Sequence, residues 1–412
     1  MFRHYKGSAE IQRATDQAED RLRDTLYRFR VPVFIVLVTL LAFWGRLSLW
    51  PIVSADYNEC LHLWMDEVRS LRGFHSIGTQ IGNYTAPYHY LMAAMSYIPG
   101  LSNLAVIKIT STMADFCMAA AAAWLCWQLC RSQTKAVLCY AAVLFLPTVF
   151  LNSAAWGQCD AMYTTLVLLT AALYVSGKKS VSMLVYGMAL AVKLQAIFVL
   201  PAAIIFWLCG RLRLRHILCA AVGYVVLFIP AMLGAKSFAP LVLAYGMQTK
   251  LNALSSNIYN GASLFAGITA DELPWLGNML MAGTVVAVGI VAFFCWQNRE
   301  RLTPQTELLL FACMALLVPF LLPAMKDRYY YMAEVLCVVY AFTRPRKAIL
   351  PLAMQLGSLP AYMSYLFGAA NPFGVWLVPL VGLVLLLLLR DLTSSLCQPQ
   401  KPPPPSLPSQ CP

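Results

Sequence analysis

Runs of roughly 20 apolar residues recur from residue 31 to residue 390, each long enough to cross the hydrocarbon core of a bilayer. The runs are continuous, so they predict helices and exclude a β-barrel, whose strands would show short alternating segments. The first predicted span covers about 32–53 and carries Arg46 inside it. Further spans follow over about 104–130, 136–152, 160–176, 181–193, 195–209, 216–234, 275–296, 306–323, 328–343, 347–367 and 375–389, which makes about twelve. The predicted fold is thus an all-α, polytopic membrane domain over residues 32–390. It is preceded by a polar helical segment, 1–31, and followed by a tail, 391–412, ending in "KPPPPSLPSQCP" and expected to be disordered. The first large loop, 54–103, contains "APYHYLMAAMSYIP", too short to cross alone and expected to lie as an interfacial or re-entrant helix. A second large loop is expected over 235–274.

Charge orients the pattern. Residues 1–31, the tail and the loops at 131–135, 177–180, 210–216, 297–301, 343–347 and 390–391 hold 21 of the 30 Lys and Arg residues. The positive-inside rule makes their side cytoplasmic. The net charge of +12 is therefore spent on topology, and no nucleic-acid partner is needed. Segment 181–209 begins and ends beside basic loops, so it is expected to cross twice, through short helices meeting near Lys193-Leu194-Gln195. Only 12% of the residues are charged, against about 25% in soluble proteins. The thirteen cysteines include no CxxC pair and read as small hydrophobes within apolar runs.

Polar stretches then gather on the opposite, outer face. "SADYNECLHLWMDEVRS" (54–70) places Asp56 directly after the first span. "GNYTAPY" (82–88), "NSAAWGQCDAMY" (152–163), "VKLQ" (192–195), "SSNIYNG" (255–261) and "PAMKDRYYY" (323–331) share that face. Each has an ordinary explanation alone: a helix cap for Asp56, snorkelling for Lys193, an aromatic belt for Trp156 and Tyr163, a turn at Tyr84, a local ion pair for Asp327 and Arg328. Their convergence on one face points to a cavity, because ionisable groups at membrane depth are costly. In such a cavity Asp56 can act as a general base. Lys193 and Arg328 can hold a phosphate, with Gln195 fixing the lysine or a phosphate oxygen. Asn83, Gln158 and Asn257 can bond sugar hydroxyls, and Tyr84, Trp156, Asp160 and Asp327 complete the set. These parts suit transfer of a sugar from a polyprenyl phosphate to an acceptor hydroxyl, with inversion.

At these residues the chain resembles the GT-C superfamily of membrane glycosyltransferases. It is similar to the asparagine-linked glycosylation glucosyltransferases of the endoplasmic reticulum and to bacterial mannosyltransferase-like relatives of the GPI-anchor enzymes. "SADYNECLHLWMDE" looks like the family's first luminal loop, "GNYTAPYHYL" its second motif with one proline, Pro87, and "AAWGQCDAMYT" its second luminal loop. "AVKLQAIFVLP" looks like the Lys-Gln helix junction and "PAMKDRYYYMAEVL" a late luminal motif. The resemblance implies a GT-C bundle, a dolichyl- or undecaprenyl-phosphate hexose donor of the mannose or glucose class, and Asp56 in the catalytic base position. The acceptor is expected to be a glycan, a lipid-linked sugar or a protein. No Asp-x-Asp occurs near Asp56, so no divalent metal cofactor is implied. The compact, loop-poor spans point to a bacterial plasma membrane, with the site on its outer face. The competing readings are a glycan polymerase or ligase using a pyrophosphate carrier, a transporter or lipid flippase, and a non-enzymatic assembly factor. A transporter built from inverted repeats would show two related halves, which the sequence lacks.

Overall fold

The computed structural model describes residues 3–234, 245, 253–265, 267 and 273–397. It is 82% helical, and its strands, β1 (Ser255–Ser256) and β2 (Met325–Lys326), form a two-residue parallel ladder. Most of the expected loop 235–274 and residues 398–412 of the expected tail lie outside the described residues.

Helix α1 (Arg3–Leu49) runs unbroken from the polar N-terminal segment through the first apolar run, so no structural boundary falls at residue 31. The loop that follows holds α2 (His62–Ser70) and α3 (Ala86–Ser96). Their apolar faces bury Met65, Val68, Tyr88 and Met92 against Val106 and Cys159. Next come α4 (Asn103–Cys130), α5 (Gln133–Leu144), α6 (Pro147–Leu151), α7 (Asp160–Val175), α8 (Lys179–Val192), α9 (Leu200–Leu208) and α10 (Leu214–Gly234). The last third comprises α11 (Leu273–Gln297), α12 (Pro304–Leu321), α13 (Tyr331–Thr343), α14 (Ile349–Phe367) and α15 (Leu377–Cys397). Helix α15 continues past the expected boundary at 390, because Asp391 is paired there with Lys347 at 2.6 Å and bonded by Tyr340.

Every expected span coincides with a helix, yet fewer than twelve are long and apolar enough to cross a membrane. Six qualify: Gln12–Leu49, Asn103–Cys130, Leu214–Gly234, Leu273–Gln297, Pro304–Leu321 and Gly374–Cys397. A seventh is formed if the pair Gln133–Leu144 and Pro147–Trp156, bent by 51°, is one span. Helices α7, α8 and α13 fall below the roughly 20 residues a full crossing needs, as does 194–208. Helix α14 is long enough but is diluted by Gln355, Ser358, Tyr362, Ser364 and Tyr365.

Burial sorts the helices. Leu308 to Val318 of α12 and Tyr331 to Ala341 of α13 are buried throughout, and these two helices form the centre with α4, α7 and α15. In contrast α1, α10 and α11 expose rows of Leu, Val, Ile and Phe. Such surface is stable facing lipid tails, which are as apolar as the side chains. Helix α1 is nevertheless fastened. Arg46, fully buried, reaches Asp115 of α4 at 2.8 Å and donates to the carbonyls of Ala42 and Leu144.

Helices α8 and α10 cross at glycines. A Cβ on Gly187 would lie 1.8 Å from the carbonyl oxygen of Ala220, and one on Gly223 would lie 1.9 Å from that of Leu184. Only glycine permits this backbone approach. We predict that Gly187→Ala lowers the thermal midpoint of the detergent-solubilised protein, at a cost of about 1–3 kcal/mol or more. Gly289→Ala, whose Cβ would meet nothing within 4 Å, is the control and should be nearly neutral. Equal midpoints for the two variants would show that the crossing is not this close.

Candidate functional site

Two π-helical turns build the site. One, Tyr57–Leu61, directly follows Asp56, and the other, Asn152–Trp156, leads through Gly157 and Gln158 to Asp160 at the start of α7. A π turn widens the helix by one residue and re-aims the side chains around it. Gly157 has φ +79°, and a Cβ there would lie 2.9 Å from Ile107 Cγ2, so the reversal depends on glycine. On the other wall, α8 stops at Val192 and Lys193 is extended, with φ −155° and ψ 136°. The carbonyls of Leu190, Ala191 and Val192 left open by that break accept hydrogen bonds from the hydroxyls of Thr85 and Tyr245.

Asp56 receives three side-chain donors. Trp156 Nε1 donates to Oδ2 at 2.7 Å, Gln158 Nε2 donates to the same oxygen, and the Tyr365 hydroxyl donates to Oδ1 at 2.7 Å. An Arg328 guanidinium nitrogen lies 3.8 Å from Oδ2. Burial pushes the Asp56 carboxyl upward, but the Arg328 charge and the donors from Tyr365, Trp156 and Gln158 outweigh it. The group is held below the usual carboxylate value as an anion.

Asp160, almost fully buried, is the second centre. It pairs with Lys193 Nζ at 2.6 Å and Arg328 Nε at 3.3 Å, and accepts from Asn152 Nδ2 at 2.9 Å. The Arg328 Nε contact is an ion pair without hydrogen-bond alignment. Arg328 also lies 3.6 Å from Asp327 and 5.0 Å from the Trp156 ring centroid, so one guanidinium is shared by three carboxylates. Tyr84 donates its hydroxyl to Gln158 Oε1 at 2.8 Å, while Lys193 Nζ stands 5.4 Å from its ring.

These groups surround a cavity of about 580 Å³. Asp56, Asn83, Tyr84, Gln158, Lys193, Gln195 and Arg328 line it, as the sequence led one to expect. Trp156, Asp160 and Asp327 stand behind the wall and hold the lining groups. Asn257 does not line it: its φ of +56° turns the chain there, it is exposed, and Ser256 faces the cavity instead. Sequence reasoning missed Tyr365, Lys326 and Trp64, and held Glu59 only as a substitute for Asp56. Lys326, Glu59 and Trp64 sat within the quoted motifs, whereas Tyr365 belongs to an apolar run with no motif around it. Lys326 is exposed and makes no ion pair among the described residues. No group of three or more His, Cys, Asp or Glu converges as metal ligands among the described residues. A separate groove of about 480 Å³ lies between α1, α4 and α5, lined by Ile35, Phe116, Trp124 and Trp127. It has no charged lining.

A family model described as glycosyltransferase family 87 matches residues 84–322, more than half of the chain. The match takes in Tyr84, Trp156, Gln158, Asp160, Lys193 and Gln195, and leaves Asp56, Lys326, Asp327, Arg328 and Tyr365 outside. No curated protein matches the chain.

The two loop carboxylates Asp327 and Asp56 make opposite contributions with pH. Burial pushes Asp327 up to about 6, helped by Asp56 and Asp160 and opposed by Arg328. A raised carboxyl favours the folded state at low pH, and that contribution is lost as pH rises from about 4 through 6. Asp56, held low, contributes above about 4 and does not change in this window. We predict that the wild type gains thermal stability relative to Asp327→Asn on going from pH 7 to pH 5. A difference independent of pH over that range would contradict the assignment.

Proposed function

The chain belongs to glycosyltransferase family 87, a GT-C-type family of membrane glycosyltransferases, and from that premise we propose which sugar transfer it performs. A hexose of the mannose or glucose class moves from a polyprenyl-phosphate donor to an acceptor hydroxyl, with inversion, on the outer or luminal face. Asp56 is the general base. The observation that carries the reading is the meeting, in one cavity, of an ionised Asp56 with Arg328 and with Lys326, which makes no ion pair among the described residues.

In the reaction the acceptor oxygen attacks the anomeric carbon as the bond to phosphate breaks. The bond's electron pair leaves with the phosphate, and the acceptor proton passes to Asp56. Oδ1 is the oxygen that takes it, because Oδ2 already receives Trp156 and Gln158 while Oδ1 receives only Tyr365. A carboxylate held this low cannot deprotonate an alcohol before attack. It accepts the proton late, once bonding to carbon has made the hydroxyl acidic.

The phosphate reading changes in detail. Lys193 and Arg328 are occupied by Asp160, Asp327 and Asp56, so Lys326 is the direct phosphate contact and Arg328 stabilises charge as it develops. The cations Lys193, Lys326 and Arg328 face the carboxylates of Asp56, Glu59, Asp160 and Asp327. Three cations against four carboxylates leave no excess positive charge, which disfavours a multiply charged pyrophosphate more than a singly charged phosphodiester and argues against a polymerase or ligase. Gln158, Asn83 and Gln195 are placed to bond sugar hydroxyls.

The test is transfer from radiolabelled polyprenyl-phosphate mannose and glucose to a panel of lipid, glycan and protein acceptors. We predict that Asp56→Asn binds donor normally and loses about 10²–10⁴-fold in kcat. Lys326→Met should raise the donor KM with a smaller change in kcat. Near-normal turnover in Asp56→Asn would sink its role. The orientation has its own check: a cysteine at exposed Ser256 should be labelled from the outer side, and one at exposed Ser180 should not. Labelling from outside at Ser180 would invert the proposed topology.

A further inference from the structure

Lys108 has no role in the chemistry above, yet its burial calls for one. It lies on α4, 1% exposed, with no carboxylate in ion-pair range among the described residues. A methionine would fill similar space without the cost of burying an ammonium. Its Nζ donates instead to two carbonyls, Ala154 O at 2.7 Å and Ala155 O at 2.5 Å. Both belong to the π turn Asn152–Trp156.

Neighbouring contacts give this pair of bonds its meaning. Asp115 lies seven residues along α4, on the same face. It accepts from Ser153 Oγ at 2.5 Å. The Ser54 hydroxyl donates to Trp156 O at 2.9 Å, and its oxygen also accepts from the Tyr57 amide at 3.3 Å. Four successive residues of the turn, 153 to 156, are therefore gripped by α4 and by the stretch that carries Asp56. The turn and the two residues after it deliver both donors to Asp56 Oδ2, Trp156 and Gln158. Without Lys108, two buried carbonyls would lack partners and the turn could regain an ordinary helical path.

We propose that Lys108 is a positioning residue for the transferase: by holding the carbonyls of Ala154 and Ala155 it fixes the turn from which Trp156 and the following Gln158 hold the Asp56 carboxylate in the cavity. This rests on Asp56 being the base, so one readout is chosen to need no substrate. Trp156 donates to Asp56 and stacks on Tyr365 at 4.1 Å, so protonation of Asp56 changes the surroundings of the indole. Acid titration of tryptophan fluorescence, keeping only the transition that Asp56→Asn abolishes, gives the Asp56 midpoint.

The expected result is a rise of that midpoint in Lys108→Met, with kcat for polyprenyl-phosphate mannose down about 10- to 10²-fold and the donor KM little changed. Lys108→Arg, which can still donate to both carbonyls, should restore midpoint and kcat together. Ser54→Ala, which frees the Trp156 carbonyl alone, should show a smaller rise and serves as the readout if Lys108→Met does not fold. An unchanged midpoint in a folded Lys108→Met or, failing that, in Ser54→Ala overturns the proposal. So does failure of Lys108→Arg to restore a shifted midpoint. A shifted midpoint in a protein that transfers no sugar from any donor upholds the positioning role and removes the proposed reaction instead.

Discussion

The salt bridges of Asp160 are the constraint on which the site is built. Its carboxylate, almost out of contact with solvent, holds Lys193 at 2.6 Å and Arg328 at 3.3 Å while Asn152 donates from the preceding turn. Any one of these charges left alone in a water-poor interior would cost several kcal/mol. Together they are tolerable only if three separate stretches, 152–160, 193–195 and 327–328, come to one point. The break after α8 follows from this. Lys193 must be extended for its side chain to reach Asp160, and the helix end it opens is closed by Thr85 and Tyr245. The first loop is thereby drawn onto α8 by the same contact that assembles the charges.

A second layer of paired charge lies deeper. Arg46 and Asp115, both fully buried, join α1 to α4, and Asp115 also accepts from Ser153 and Tyr331. Further from the cavity, Glu334 receives Thr148 and Gln355, tying α13 to α6 and α14. Helix α14 then returns Tyr365 to Asp56 and Tyr362 to Asn152. The polar residues that dilute the apolar runs are thus the ones that connect helices. Their partners lie from 21 to 309 residues away in sequence, as with Glu334–Gln355 and Tyr365–Asp56.

That separation explains what the sequence could and could not disclose. Helix positions were legible because apolar runs are local, and the face carrying Asp56, Tyr84, Gln158, Lys193 and Arg328 was legible because basic loops mark the opposite side. Pairing was not local. Lys193 and Arg328 read as two free cations suited to a phosphate, although Asp160 pairs with both. Lys326 was passed over beside Asp327 and Arg328, and Tyr365 was invisible within an apolar run. Asn257 looked like a sugar ligand by composition, but its left-handed backbone places it off the wall.

The gap between about twelve expected spans and the six or seven helices long and apolar enough to cross has the same origin and a functional consequence. An apolar run that ends against protein looks like one that ends in water. Helix α8 has 14 residues and α7 has 16, rises of about 21 and 24 Å against a hydrocarbon core of about 30 Å. A helix of that length reaching one membrane surface stops short of the other. Here the ends in question are Asp160, which opens α7, and Lys193, which follows α8, and both meet at the cavity. Both helices end at the polar cavity, which Lys193 lines and Asp160 backs. Full-length spans would carry Asp160 and Lys193 out into water, where their attraction would weaken and no water-poor pocket would remain beside Asp56.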